Sequence, residues 1–197
     1  MNPAIKKYFK SVDPILFSVI NHIESFELVK YDDYFVCVCR EIIGQQLSGK
    51  VADVIYERFL NLFPKKIVTP QQLLKLPDKK IRAIGTSWSK VSYIKDLALK
   101  IRSGEVNLKT IAELGDKEVI RELSKVKGIG SWTAEMFLMF TLGREDVFSY
   151  GDLGLRRAIQ KLYKFKKEPT VKQMEKIVIK WKPYRTYAAR ILWKSLE

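Results

Sequence analysis

Prolines and glycines cut this chain into short apolar segments, and most of those segments carry their apolar residues at a spacing of three and four. Such punctuation leaves no room for long strands, and the alternating rhythm of a half-buried sheet is missing. Pro14 opens a segment running to about Phe26, with Ile15, Val19, Ile20 and Ile23 at helical spacing. Tyr34 to Ile43 is apolar and β-branched, which periodicity alone leaves open between strand and buried helix. Its continuation through GQQLSGKVADVIYERFLNLF favours helix, with Val51, Val54, Ile55, Phe59 and Leu62 on one face. Thr69-Pro70 reads as an N-cap followed by a proline at the first helical position. Helices are also expected over QQLLKL, DKKIRAI, Ser89 to Gly104, both sides of Gly115, Ser131 towards Gly143, Leu153 onwards, VKQMEKIVIKW and PYRTYAARILWKSL. The sum is an all-α chain of about ten short helices with tight turns.

Charge narrows the partner. Lysine and arginine number 36 against 22 acids, a net charge of +14. A solvated surface does not need that excess of one sign, and polyanions are its natural guests, nucleic acid first. Hydrophobic residues make up 47%, enough for a core. No apolar run is long enough to span a bilayer, and the first residues lack a continuous apolar signal core, so an intracellular protein is expected. The two cysteines, Cys37 and Cys39, are too close for an ordinary disulfide and too few for a four-ligand metal site, and read as buried thiols. A single histidine, His22, excludes histidine-based metal sites and Ser-His-Asp triads.

The stretch LSKVKGIGSWTAEMF ends one helix and begins another within four residues. Gly128 and Gly130 permit positive φ and close backbone approach. The start of the Ser131 helix offers N–H groups and the positive end of a helix dipole, with Lys125 and Lys127 beside it. A DNA phosphate suits that place, although an ordinary turn reads the same way. Further on, Asp152 precedes LGLRRAIQKLY. It is a good N-cap, and a fixed carboxylate there can also stabilise positive charge developing on a sugar. Arg156 and Arg157 follow, placed to meet phosphates.

The pattern Leu123, Val126, Gly128, Ile129, Gly130, Thr133, Ala134 resembles the helix-hairpin-helix motif. With Asp152 lying 20 residues after Trp132, REIIGQQLSGKVADVIYERF near the start and WKPYRTYAARILWKSL at the end, the chain resembles the helix-hairpin-helix–Gly/Pro–Asp superfamily of base-excision DNA glycosylases from about residue 30 onwards. The branch it resembles most is the 3-methyladenine DNA glycosylase II type, in a short form without that branch's β-rich N-terminal domain.

The resemblance implies two helical lobes with a cleft between them: residues 30–115 in one lobe, and 1–29 with 116–197 in the other. Asp152 would be the catalytic aspartate. Trp132, Met136 and Trp193 would line the base pocket, with Trp193 stacking on the flipped base and Met136 equally suited to the core. Gln46, with Leu47 beside it, would wedge into the gap left in the duplex, whereas Gln45 would satisfy backbone groups in its turn. Gly128, Gly130, Ser131, Lys127 and Arg156 would hold phosphates. The Ser124, Val126 and Ile129 carbonyls would hold a sodium or potassium ion. Trp88 and Trp181 match no site position and read as structural. Bifunctional members carry a lysine where this chain has Trp132, so a monofunctional hydrolase without AP lyase activity is implied. No cofactor is required, and the two cysteines cannot hold the four-cysteine iron–sulfur cluster of some relatives. The implied substrate is double-stranded DNA carrying alkylated purines. The protein would act as a monomer, in the cytoplasm of a prokaryote or the nucleus of a eukaryote. Two other readings stay open: a glycosylase for oxidised, deaminated or mispaired bases, and a passive DNA-binding hairpin module.

Overall fold

The computed structural model describes residues 1–196. Among them the chain is helical throughout, without strands: α1 (Pro3–Val12), α2 (Pro14–Ile20), α3 (Tyr34–Gly44), α4 (Gly49–Leu60), α5 (Pro70–Lys75), α6 (Asp78–Ala83), α7 (Trp88–Ser103), α8 (Asp116–Leu123), α9 (Ser131–Phe140), α10 (Leu153–Leu162), α11 (Val171–Val178) and α12 (Arg185–Lys194). The ambiguous apolar stretch from Tyr34 is helix. Helix starts follow local chemistry. Asn2, Asp13, Asp33, Thr69, Ser87, Asp152 and Thr170 each accept a hydrogen bond from a backbone N–H of the first turn. Each such cap contributes about 1 kcal/mol. The helix expected to open at Ser89 is capped two residues earlier, by Ser87.

The chain divides into two compact units, residues 1–29 with 143–197, and residues 30–142. The boundary expected at 115/116 therefore falls at 142/143. The reason is packing: α9 lies against both α8 and α3, which keeps the glycine hairpin in the middle unit.

The middle unit is built around α3 and α7, with α4 and α9 packed on α3, and α5 and α6 packed on α7. Its core includes Ile42, Ile43, Phe59, Leu73, Ile94, Leu97 and Phe137. On α4 only part of the expected face turns inward: Ile55 and Phe59 are buried, whereas Val51 and Val54 are exposed. Gly128 has φ of +75°, and a Cβ built on it would lie 2.1 Å from the Tyr93 ring. The hairpin thus rests on an aromatic ring that α7 supplies. Trp88 does not share that structural duty, because it is 57% exposed.

The other unit is organised by a buried acid. Asp13 caps α2 through Oδ1, which accepts from Leu16 N at 3.0 Å. Its Oδ2 accepts from the Trp181 indole N–H at 2.8 Å and the Tyr163 hydroxyl at 2.5 Å. Burial, and then the hydrogen bond to Asp13, push the Tyr163 phenol well above its ordinary pKa. Trp181 is fully buried, as its structural reading required.

Replacing Asp13 by Ala should leave two buried donors without an acceptor and remove a cap, at a cost of about 3–5 kcal/mol, read as a lower urea midpoint. Gly128→Ala should cost more than about 2 kcal/mol, because strain at positive φ adds to the collision with Tyr93. In a Tyr93→Ala background the same change should cost only about 1 kcal/mol, and a double-mutant cycle in urea checks the difference.

Candidate active site

Asp152 sits where a pinned loop meets a helix. The loop is held by the first turn of α12. Arg185 makes a bidentate pair with Asp146, Nε to Oδ1 at 2.6 Å and Nη2 to Oδ2 at 3.0 Å, and also donates to the Asp146 carbonyl. The buried Thr186 hydroxyl donates to the Arg144 carbonyl at 2.6 Å and accepts from Val147 N at 3.0 Å. The Thr186 amide donates to the Glu145 carbonyl. A few residues later the chain enters α10 with Asp152 as N-cap.

Asp152 is 8% exposed. Its Oδ1 accepts from Leu155 N at 2.8 Å and from the Trp193 indole N–H at 2.9 Å. The indole comes from the last turn of α12, so the helix that pins the loop also supplies a donor to the acid. The space around this pair is tight. A Cβ on Gly154 would lie 3.1 Å from Asp152 Oδ1 and 3.1 Å from both Cδ1 and Nε1 of Trp193. The structure therefore gives Trp193 a polar task beyond the stacking expected of it. Neither that indole bond nor the need for glycine at 154 shows in the sequence, because both depend on α12 folding back onto α10.

Of the two arginines after Asp152, Arg156 is engaged with the Glu168 carboxylate, and its Nε is buried without a hydrogen-bond partner. A phosphate contact of Arg156, as expected from the sequence, would have to displace that partner. Arg157 is exposed and is the better placed of the two to meet solvent anions.

In the middle unit the hairpin residues expected to touch DNA are on the surface: Ser124, Lys127, Gly128, Gly130 and Ser131 are exposed. Gly130 is the N-cap of α9, and no side chain caps that helix start. The Lys127 amide is already used, donating to Asp96 Oδ2 at 2.8 Å, so only its side chain serves a phosphate. Gln45 behaves as its structural reading required: its Nε2 donates to the Gly128 carbonyl at 2.8 Å and to Thr133 Oγ1 at 3.0 Å. It thereby joins the turn carrying Gln46 and Leu47 to the hairpin. Lys90 fastens the same turn, donating to the Ile43 and Gln45 carbonyls, and burial lowers its pKa. Gln46 and Leu47 are exposed at the tip, and Gln46 has φ of +58°. A non-glycine residue held there is strained and persists only when its surroundings fix it.

Trp132 is half-buried and belongs to the middle unit. Met136 is 4% exposed, so the core reading suits it better than that of a pocket wall. Among the described residues no group of three or more His, Cys, Asp or Glu side chains is placed to hold a metal ion. Of the three carbonyls expected to take a monovalent cation, Val126 O already accepts the Ile129 amide at 3.1 Å, which leaves it one lone pair.

Comparison with known proteins agrees with these features. A Schizosaccharomyces pombe protein named DNA-3-methyladenine glycosylase 1 is 36% identical over 158 residues, covering 79% of this chain and 69% of that protein. A Bacillus subtilis protein named putative DNA-3-methyladenine glycosylase is 32% identical over 173 residues, covering 84% of this chain and 60% of the relative's length. The solved Schizosaccharomyces pombe 3-methyladenine DNA glycosylase in complex with abasic DNA superposes with a TM-score of 0.87 at 28% identity, covering 98% of this chain and 96% of that one. A Bacillus halodurans DNA-3-methyladenine glycosidase structure gives 0.80 at 35% identity, covering 98% and 89%. The family model described as HhH-GPD superfamily base excision DNA repair protein matches residues 39–183, a span that holds the glycine hairpin and the capping acid, and the chain belongs to that superfamily.

Proposed function

We propose that this protein is a monofunctional DNA glycosylase that hydrolyses the N-glycosidic bond of alkylated purines, 3-methyladenine and 7-methylguanine, in double-stranded DNA during base excision repair. The observation that carries the reading is the Asp152 carboxylate, fixed by two N–H donors on one oxygen. A carboxylate held this way needs no reorganisation when positive charge develops on the sugar. An alkylated purine is already cationic and leaves without a general acid, so a single acid suffices. The same carboxylate orients the attacking water, and the flipped nucleotide is what it serves.

The exposed hairpin amides and the Lys127 side chain hold a backbone phosphate, and Arg157 replaces Arg156 as the second cationic contact. The carbonyls of Ser124, Val126 and Ile129 would hold a sodium or potassium ion that neutralises phosphate charge. Gln46 and Leu47, at a strained and anchored tip, fill the gap left by the flipped base. Trp132 stands where bifunctional relatives carry the Schiff-base lysine, which supports hydrolysis without strand cleavage. The named relatives support the substrate class, and the protein acts as a monomer.

Single-turnover release from methylated duplex DNA tests this reading. Asp152→Asn keeps the acceptor oxygen for both donors, so fold and DNA affinity should persist while base release falls at least about a hundredfold. Unchanged release would sink the catalytic role. Gly154→Ala should leave the melting temperature unchanged or slightly raised, since alanine favours helix, yet slow release about tenfold by pushing on the acid and its indole partner.

A further inference from the structure

The middle unit contains a cavity of about 370 Å³ that none of the residues above explains. Tyr31, Tyr56 and Phe140 give it aromatic walls, and Cys37, Arg40 and Glu41 give it polar ones. It lies at the small end of the range for ligand pockets, a size that suits a base or a nucleoside. Two of the polar groups are occupied. Arg40 pairs with Asp53 at 2.7 Å and lies over the Tyr56 ring at 5.7 Å. The Cys37 thiol is hydrogen-bonded to Thr141, another lining residue, and its pKa is raised chiefly by burial.

Glu41 differs from these. It is half-buried on α3, lines the cavity, and neither accepts a hydrogen bond nor forms an ion pair among the described residues. Burial raises its carboxyl to about 7, and the Arg40 charge only partly opposes that. Glu41 lines the cavity without a protein donor, so a molecule in the cavity can meet its carboxyl. What it lacks is a pair of N–H donors.

We propose that this cavity is a nucleobase pocket that selects guanine-type purines, with Glu41 accepting the two adjacent N–H donors of the guanine edge while the aromatic side chains cover the ring. A carboxylate has two acceptor oxygens and matches N1–H beside the 2-amino group. An adenine edge sets one donor beside one acceptor nitrogen, which a carboxylate repels. The assignment rests on the glycosylase reading for the identity of the base, and expects the cavity to bind free 7-methylguanine more tightly than free 3-methyladenine.

The test is equilibrium binding of the free bases 7-methylguanine and 3-methyladenine to the full chain, beside single-turnover release of both from methylated DNA. Glu41→Gln should weaken 7-methylguanine binding about tenfold or more and leave 3-methyladenine binding unchanged or tighter, since an amide offers an adenine edge one donor and one acceptor. The variant should also melt no lower than wild type at pH 8. Below pH 4.5 the acid is neutral in both folded and unfolded chains; as pH rises through 7 the folded state alone has bound a proton it must give up, and that penalty is absent in Gln. Cys37→Leu, which narrows the cavity one helical turn from Glu41, should weaken binding of both bases. Equal binding of 7-methylguanine by wild type and Glu41→Gln overturns the proposal, as does wild type that releases the base from DNA but does not bind it free. Glu41-dependent binding without any release from DNA would instead leave the pocket standing and remove the glycosylase reading.

Discussion

One hydrogen bond ties the acid to a second helix: the Trp193 indole N–H on Asp152 Oδ1. The Leu155 amide on the same oxygen is what any N-cap aspartate receives, and it fixes only where the helix begins. The indole holds the carboxylate from outside its own helix. It can do so because α12 approaches from the other side, with its first turn clamping the loop before Asp152 and its last turn delivering the ring. Gly154 is the empty space that allows this approach. Loop, acid, donor and glycine form a single mechanical unit, assembled around a helix that contributes no acid of its own.

The middle unit solves a different problem, which is to present flexible elements in fixed positions. A glycine hairpin is mobile by nature, yet here Gly128 is backed by the Tyr93 ring and its carbonyl is held by Gln45. The same glutamine begins the turn whose tip bears Gln46 and Leu47, and Lys90 closes that turn from beneath. Grip and tip are thus coupled through one side chain. Rigidity before binding reduces the entropy lost on binding.

Much of this was legible in the sequence. Helical spacing and punctuation by proline and glycine expose the all-α architecture, because both act locally. The hairpin and the capping acid are visible for the same reason, since GIG followed by a helix and Asp before LGLRRA are short-range patterns. The less legible features are all long-range. Arg156 looks as available as Arg157 until Glu168 is seen to take it. Val51 and Val54 fit the inward pattern of α4 but the neighbouring helices leave that side uncovered. Nothing in the sequence around Gly115 says that α8 and α9 remain with α3, so the boundary at 142/143 shows only in the packing. Glu41 is the clearest instance: on paper it is one more surface charge in REIIG, and only the closing of α9 and α4 around α3 turns it into a desolvated acid.

The placement of Trp193 in the final turn of α12 has a consequence for how the protein loses activity. Helix ends open locally at far lower free energy than whole domains unfold. Trp193 sits in the last turn of α12, while the clamp on the loop sits in its first turn. Fraying of that last turn would take the indole from Asp152 Oδ1 while the acid still caps α10. Catalytic competence and folded helix content would then have separate thermal profiles, with the first failing earlier.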